Sequence, residues 1–238
     1  MLVLDVGCGT GAITRGIAEA VLPGGFAVGV DRDADLIEKA IARASAPPNL
    51  RFERAEASGL AYDRKFDVVS SARTLQWIAD VPGAISRMAR AAKPGGLLVV
   101  LEYNHSLNQW DPEPPAPFST FYRAFLEWRR SNGWDNEMAI RLPALFERAG
   151  LLDIQSHPQD ETSELGAADF AEKTALWTDV ILNLGLAMQT SGFIERTVLE
   201  EARVTYEEWR RHKLRKQTLS MATVVARVPF AHSDRQAD

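Results

Sequence analysis

The chain reads as short apolar runs alternating with segments of helical spacing. The runs from Val3 to Val6, Phe26 to Val30, Leu50 to Arg54, Phe66 to Ser71 and Leu97 to Leu101 have the length of buried strands. Between them, Ile13, Ile17 and Val21 fall four apart, which predicts a helix with these three on one inward face. Residues 33 to 44 predict a second helix with Leu36, Ile37, Ala40, Ile41 and Ala44 inward, stopped by Pro47-Pro48. Asp80 and Pro82 open a third, carrying Ile85, Met88, Ala89 and Ala92. Strands and helices alternating in this way predict an α/β fold with an open sheet, whose ligand crevice lies at the carboxyl ends of the strands.

Beyond residue 101 the pattern changes. Trp110 and a proline-rich linker (Pro112, Pro114, Pro115, Pro117) lead into a helix on which Phe118, Phe121, Tyr122, Phe125 and Trp128 make an aromatic stripe. The stripe is expected to face the sheet and, in part, a substrate pocket. Leu142 to Ala149 reads as a core helix closed by Gly150, and Leu152 to Ser156 as a sixth strand. A long stretch of helical spacing follows, far more than a hairpin needs. There Phe170, Thr174, Trp177, Ile181, Leu184 and Met188 mark one face, and Val198, Ala202, Tyr206 and Trp209 another. Leu219 to Val228 reads as one terminal strand, and 229–238 as a frayed, flexible tail. The whole, 1–238, is read as a single domain with helical cap insertions at about 104–140 and 166–216.

Composition narrows this picture. The 238 residues are 46% hydrophobic and 25% charged, which suits one sizeable core. A net charge of −5 supplies no general attraction for nucleic acid or an anionic membrane; the aromatic stripe suggests a small, partly apolar partner, with protein or RNA acceptors left open. A single cysteine, Cys8, excludes an internal disulfide or a multi-cysteine metal cluster, and the four histidines are too dispersed to propose a metal site. No apolar run has membrane-spanning length, and a cytoplasmic protein is the default. The sequence leaves the oligomeric state open. The run Arg210 to Lys216 reads as a solvated helix end rather than an anion site.

The candidate chemistry begins at the first strand. Val3-Leu4-Asp5-Val6-Gly7-Cys8-Gly9-Thr10-Gly11 is an apolar strand, an acid, then three glycines at alternate positions. Glycine there lets the backbone turn sharply and lets a ligand approach without meeting a Cβ. This stretch resembles motif I of the class I S-adenosylmethionine (SAM) dependent methyltransferases, a strand followed by D-x-G-x-G-x-G, met by Asp5, Gly7, Gly9 and Gly11. Lys93-Pro94-Gly95-Gly96 before the fifth strand is a second feature shared with that family. The resemblance is close over roughly the first hundred residues and holds in outline beyond them. It implies a Rossmann-like seven-stranded, mostly parallel sheet with an antiparallel last strand, helices on both faces, and methyl transfer from SAM to a small acceptor. Members usually place a helical segment before motif I. Here Met1 opens the first strand, so either the chain starts late or the cover over the cofactor comes from elsewhere.

The same glycines also satisfy G-x-G-x-x-G/A of dinucleotide folds, and electrostatics separates the two readings. Asp5 would repel a pyrophosphate but attract the ammonium and sulfonium of SAM; its alternative role is to cap the helix through the loop. Cys8 reads as a small loop residue. By the resemblance, Asp31 at the end of the second strand accepts both ribose hydroxyls, with Asp33 left to cap the next helix. Arg32 beside it would suit a 2′-phosphate in the dinucleotide reading. Glu56, with Ala57, occupies the position that meets the adenine amino group, or is an exposed acid. Ser71 and Ala72 hold the methionine end of SAM through backbone carbonyls. Arg73 meets the SAM carboxylate or a substrate anion, and Trp77 walls the sulfonium or, the preferred reading, fills core. The N-P-P-[YFW] run expected for methylation of adenine or glutamine amino groups is absent.

Methyl transfer is an in-line displacement in which alignment and desolvation carry much of the barrier, so a catalytic base is optional. If one exists, His105 is the first candidate, because it follows the fifth strand and an ordinary imidazole titrates near neutrality. Glu102 and Tyr103 come next, and a loop histidine of no special role is the competing reading. Two alternatives stand beside the transferase. An NAD(P)-dependent oxidoreductase shares the glycine loop but lacks a Tyr-x-x-x-Lys pair and leaves Asp5 unexplained. A non-catalytic SAM-binding protein predicts binding without turnover.

Overall fold

Five apolar runs become the parallel half of one sheet. They are β1 (Leu2–Val6), β2 (Phe26–Asp31), β3 (Leu50–Arg54), β4 (Phe66–Ala72) and β5 (Ala92–Tyr103). In the computed structural model, which describes residues 1–43 and 47–230, β1 pairs parallel to β2 and β4, β2 to β3, and β4 to β5. Two later strands, β7 (Leu152–Pro158) and β10 (Met221–Arg227), complete the seven-stranded order β3-β2-β1-β4-β5-β10-β7. β10 is antiparallel to β7, and its continuation is tied to the start of β5 by Gly95 N–H to Val228 O and Val228 N–H to Gly96 O. The Rossmann-like expectation holds, last strand included.

The chain divides into two compact units, 1–102 with 138–158 and 222–238, and 103–137 with 159–221. In the first unit, α1 (Ala12–Ala20), α2 (Ala34–Ala42), α3 (Val81–Ala91) and α5 (Met138–Arg148) accompany the sheet. Leu4, Val6, Val69, Leu98 and Val100 from the strands meet Ile85 and Met88 of α3 and Leu142 and Phe146 of α5 in one core. Asp80 caps α3 by accepting from Gly83 N–H, as Asp80-Val81-Pro82 predicts. Ala92 starts the long β5 rather than ending α3, and the Lys93–Gly96 turn lies within that strand as a register irregularity.

Two inward faces differ from the prediction. On α1 the buried positions are Thr14 and Ala18 with Val21 beyond, while Ile13 is 41% exposed. The Thr14 hydroxyl donates to Asp5 on β1, which turns that face to the sheet, and small side chains there allow a close approach. On α2 only Ile37 and Ala40 are buried and Ile41 is exposed, because α2 packs beside β3, the edge strand, which covers a narrow stripe. Ala44 lies outside the described residues. So do residues 231–238 of the expected tail, whereas Phe230 packs its ring over Gly95.

The second unit is not purely helical. It holds α4 (Ala116–Ser131), α6 (Phe170–Thr174), α7 (Leu176–Thr190) and α8 (Arg196–His212). It also holds a three-stranded antiparallel sheet of β6 (Gln109–Asp111), β9 (Lys216–Leu219) and β8 (Glu161–Glu164) in the order β6-β9-β8. The single terminal strand expected from 219 to 228 is therefore two strands broken at Ser220, whose N–H is taken by Asn108 Oδ1. The aromatic stripe of α4 is buried as expected, but its rings build this unit's own core: Phe118 stacks on Tyr206 of α8, and Tyr122 and Phe125 meet Trp177 of α7 edge-on. Part of the basic run is paired locally. Arg210 and Arg211 both clamp Glu207, holding its carboxyl down at about 2, and Lys216 pairs with Glu164.

Candidate cofactor site

The loop after β1 is built by its own backbone. Gly7 and Cys8 both donate their N–H groups to Val30 O at the end of β2, and Gly11 N–H donates to Cys8 O. Gly7, Gly9 and Gly11 have φ of 75°, 53° and 77°, values that favour glycine. Their surroundings differ. A Cβ on Gly7 would overlap the Thr74 side chain and one on Gly11 the Phe52 ring, whereas a Cβ on Gly9 would enter open space. Gly7 and Gly11 are thus required by packing inside the protein, and Gly9 presents bare backbone outward.

Asp31 braces this loop from the next strand. Its Oδ2 accepts from Gly9 N–H at 2.9 Å and its Oδ1 from Asp33 N–H at 3.0 Å. A carboxylate has about four acceptor positions, so two remain for a diol. Asp33 caps α2 through Asp35 and Leu36 N–H, as the sequence implied for that residue. Arg32 is exposed at the strand end, where its carbonyl accepts from Arg54 Nε.

Asp5 lies beneath the loop and is 2% exposed. Its two oxygens accept from Thr14 Oγ1 at 2.7 Å and Ser70 Oγ at 3.2 Å. Burial pushes its carboxyl above the usual range, the two hydroxyls pull it back, and Asp31 adds to the rise. The neighbouring Cys8 thiol is pushed up to about 12, first by burial and then by the charges of Asp5 and Asp31. Cys8 is therefore a protonated packing group rather than a nucleophile. Two acidic side chains, Asp5 and Asp31, flank the loop, and among the described residues neither makes an ion pair to a basic side chain.

The fourth strand delivers the remaining wall. Ser71 donates to Val6 O, and Arg73, with φ of 58°, turns the chain out of β4 while its N–H is held by Leu101 O. Thr74 then packs on Gly7. Glu102 is fully buried, and its Oε1 accepts from Thr74 N–H at 2.8 Å and Leu75 N–H at 2.6 Å. It fastens the β4 turn in place. Glu56 is exposed at the end of β3 and precedes the short 3-10 turn Ala57–Gly59, where Ala57 is buried. Trp77 is half-buried. Asp5, Gly7, Cys8, Gly9, Gly11, Asp31, Ser71, Ala72, Arg73 and Glu102 all belong to the loops and strand ends of the first unit.

Tyr103 and His105 belong to the second unit. His105 is 6% exposed, stacks on Tyr103 and meets Phe125 and Trp177 edge-on. The expectation that it titrates near neutrality is overturned: burial, and then the charge of Arg129, lower its pKa to about 3. So weak a base makes a poor proton acceptor. The sequence reading missed Thr14, Ser70 and Thr74, which hold Asp5 and the glycine loop. The only signal for them was a hydroxyl residue close to the loop or at a strand end; of the three the fold fully buries Thr14. Among the described residues no group of His, Cys, Asp and Glu is placed to hold a metal, and no helix is long and apolar enough to cross a membrane.

A family model described as a methyltransferase domain matches residues 1–142. The trans-aconitate 2-methyltransferase of Deinococcus radiodurans is 38% identical over 154 residues, which is 63% of this chain and 56% of that protein. The chain thus spans little more than half the length of that relative. Among solved structures, the YcgJ protein of Bacillus subtilis superposes with a TM-score of 0.61 at 18% identity, covering 97% of this chain and 92% of that one. A Haemonchus contortus phosphoethanolamine N-methyltransferase, solved with phosphomonomethylethanolamine and S-adenosylhomocysteine, gives 0.58 at 16% identity over 96% of this chain and 49% of that one. At such identities these likenesses establish the fold.

Proposed function

This chain belongs to the methyltransferase-domain family, and from that premise we propose that it transfers a methyl group from SAM to an O, N or C of a small, partly apolar acceptor. When bound, SAM supplies a methyl on a positively charged sulfur, open to in-line displacement. The observation that carries the reading is the pair of acidic side chains around the glycine loop: Asp31 braces Gly9 and Asp5 lies beneath, and after burial both add to the rise of the Cys8 thiol, a setting that suits a cation. A pyrophosphate would meet the same charges as a repulsion, which with the family match sets aside the oxidoreductase alternative.

In this reading Gly9 lets the cofactor lie against bare backbone, and Asp31, already oriented by Gly9 and Asp33 N–H groups, uses its remaining acceptor positions for the ribose diol. Ala57 and Glu56 border the adenine, while the carbonyls of Ser71 and Ala72, with Arg73, hold the amino-acid end. Asp5 holds the floor of the loop rather than touching the cofactor, since Thr14 and Ser70 occupy its oxygens. Glu102 positions the β4 turn. Tyr103 and His105 belong to the second unit's aromatic core, and no residue is assigned as a base. The experiment is calorimetry with S-adenosylhomocysteine and with NADPH, followed by a screen of small acceptors with methyl-labelled SAM. Binding of the homocysteine compound alone, with label transferred, is expected. Affinity for NADPH alone refutes the cofactor, and nucleoside binding with no transfer to any acceptor class favours a SAM-binding protein without turnover.

A further inference from the structure

A second site lies wholly within the second unit, along one flank of α4. It is a pocket of about 220 Å³ floored by Trp110, Phe118 and Tyr122, with Leu126 beside them and Arg123 and Arg130 at the rim. The volume is informative, because an apolar cavity of about 150 Å³ takes up benzene. One ring with a short substituent therefore fits.

The polar ends of the floor are turned away from it. Trp110 Nε1–H donates to Gln217 Oε1 at 3.0 Å, and the Tyr122 hydroxyl donates to His105 O at 2.6 Å. Trp110 meets Phe118 and Tyr122 edge-on at 5.5 and 5.0 Å, so what remains for an occupant is ring surface. The rim is the opposite. Arg123 and Arg130 lie two helical turns apart on the exposed side of α4, and among the described residues neither is paired with a carboxylate. Glu127, four residues from one and three from the other, pairs with neither. Arg130 sits in the last turn, where the helix dipole accounts for a cation, but Arg123 lies more than two turns from that end. In a chain of net charge −5, two uncompensated guanidinium groups over an aromatic floor are a local feature. We infer that this pocket binds a small organic anion made of one apolar ring or short alkyl chain bearing a carboxylate, its apolar part on Trp110 and Tyr122 and its charge between Arg123 and Arg130.

This inference does not depend on methyl transfer. The test titrates the full chain calorimetrically with 3-phenylpropionate and with its neutral isostere 3-phenylpropanamide, then repeats the titration on Arg123→Gln/Arg130→Gln and on Ser119→Phe, which places a ring at the pocket wall. All three positions are exposed, and matching melting curves confirm the fold of each variant. Saturable one-to-one binding of the carboxylate is expected. It should weaken by about fivefold or more for the amide, for the double variant and for the plugged variant. The absence of saturable binding, or a smaller loss in the double variant, overturns the proposal.

Discussion

Glu102 offers the sharpest test of how the sheet holds its ligand face. Replacing it by alanine removes the acceptor of two backbone donors, Thr74 N–H at 2.8 Å and Leu75 N–H at 2.6 Å, the second on a fully buried residue. A hydrogen bond to a charged acceptor contributes roughly 1.5–3 kcal/mol, and a buried donor left unmade costs a similar amount. The alanine variant should therefore lose about 3 kcal/mol or more, a fall of roughly 6–12 °C in melting temperature for a chain of this size. Glutamine keeps an oxygen at the same place for both donors, so its loss should be about 1 kcal/mol. Amide hydrogen exchange at Thr74 and Leu75 localises the effect, and calorimetry with S-adenosylhomocysteine reads the consequence. Affinity should drop about tenfold in Glu102→Ala, since Thr74 packs on Gly7, and stay within about threefold in Glu102→Gln. If alanine and glutamine variants melt together and exchange alike, the two hydrogen bonds contribute nothing. Should Glu102→Gln bind normally yet lose all turnover, Glu102 is the proton acceptor and its positioning role is wrong.

Two further outcomes follow from the loop and from the second unit's core. Gly9→Ala meets no atom and bears only the left-handed strain, about 1–2 kcal/mol, yet should cost at least tenfold in cofactor affinity. Gly7→Ala also overlaps Thr74 and should lower the melting temperature by several degrees more; equal melting of the two variants would contradict this account of the loop. His105 bears on pH. Its pKa is lowered in the folded chain to about 3, so its contribution to stability is complete above the ordinary value of 6.5 and is lost as pH falls from there towards 3. Melting curves should fall away below pH 6.5 more steeply for the parent than for His105→Phe, diverging by up to about 1.4 kcal/mol per pH unit. Parallel curves would mean that His105 takes up its proton in the folded state.

What could be read without coordinates was whatever depends on neighbours in sequence. The alternation of apolar runs and helical spacing predicts the parallel sheet, because strand burial and helix periodicity are local properties. The Asp80-Pro82 cap, the breaker at Pro47-Pro48 and the glycines after β1 are likewise written in a few consecutive residues. Asp31 and Asp33 were separable by position alone, one ending a strand and the other preceding a helix.

The misreadings share one cause, which is that burial is decided by what arrives from far along the chain. Ile13 and Thr14 are equally placed in α1 by spacing. Thr14 is buried because the Asp5 carboxylate, nine residues earlier, needs a donor in a dry place. Ser220 interrupts what reads as one continuous strand because Asn108 takes its N–H across 112 residues. The aromatic stripe of α4 announced a core but not whose core, since its partners Trp177 and Tyr206 come from helices whose pairing no local pattern specifies. His105, taken alone, is an ordinary titrating imidazole; enclosure by Tyr103, Phe125 and Trp177 removes the water that would stabilise its charge. The sequence alone determined the strand order's raw material and the chemistry available at the glycine loop. Only the tertiary structure decided which polar groups lose their solvent, and that loss changes a side chain's protonation and its role.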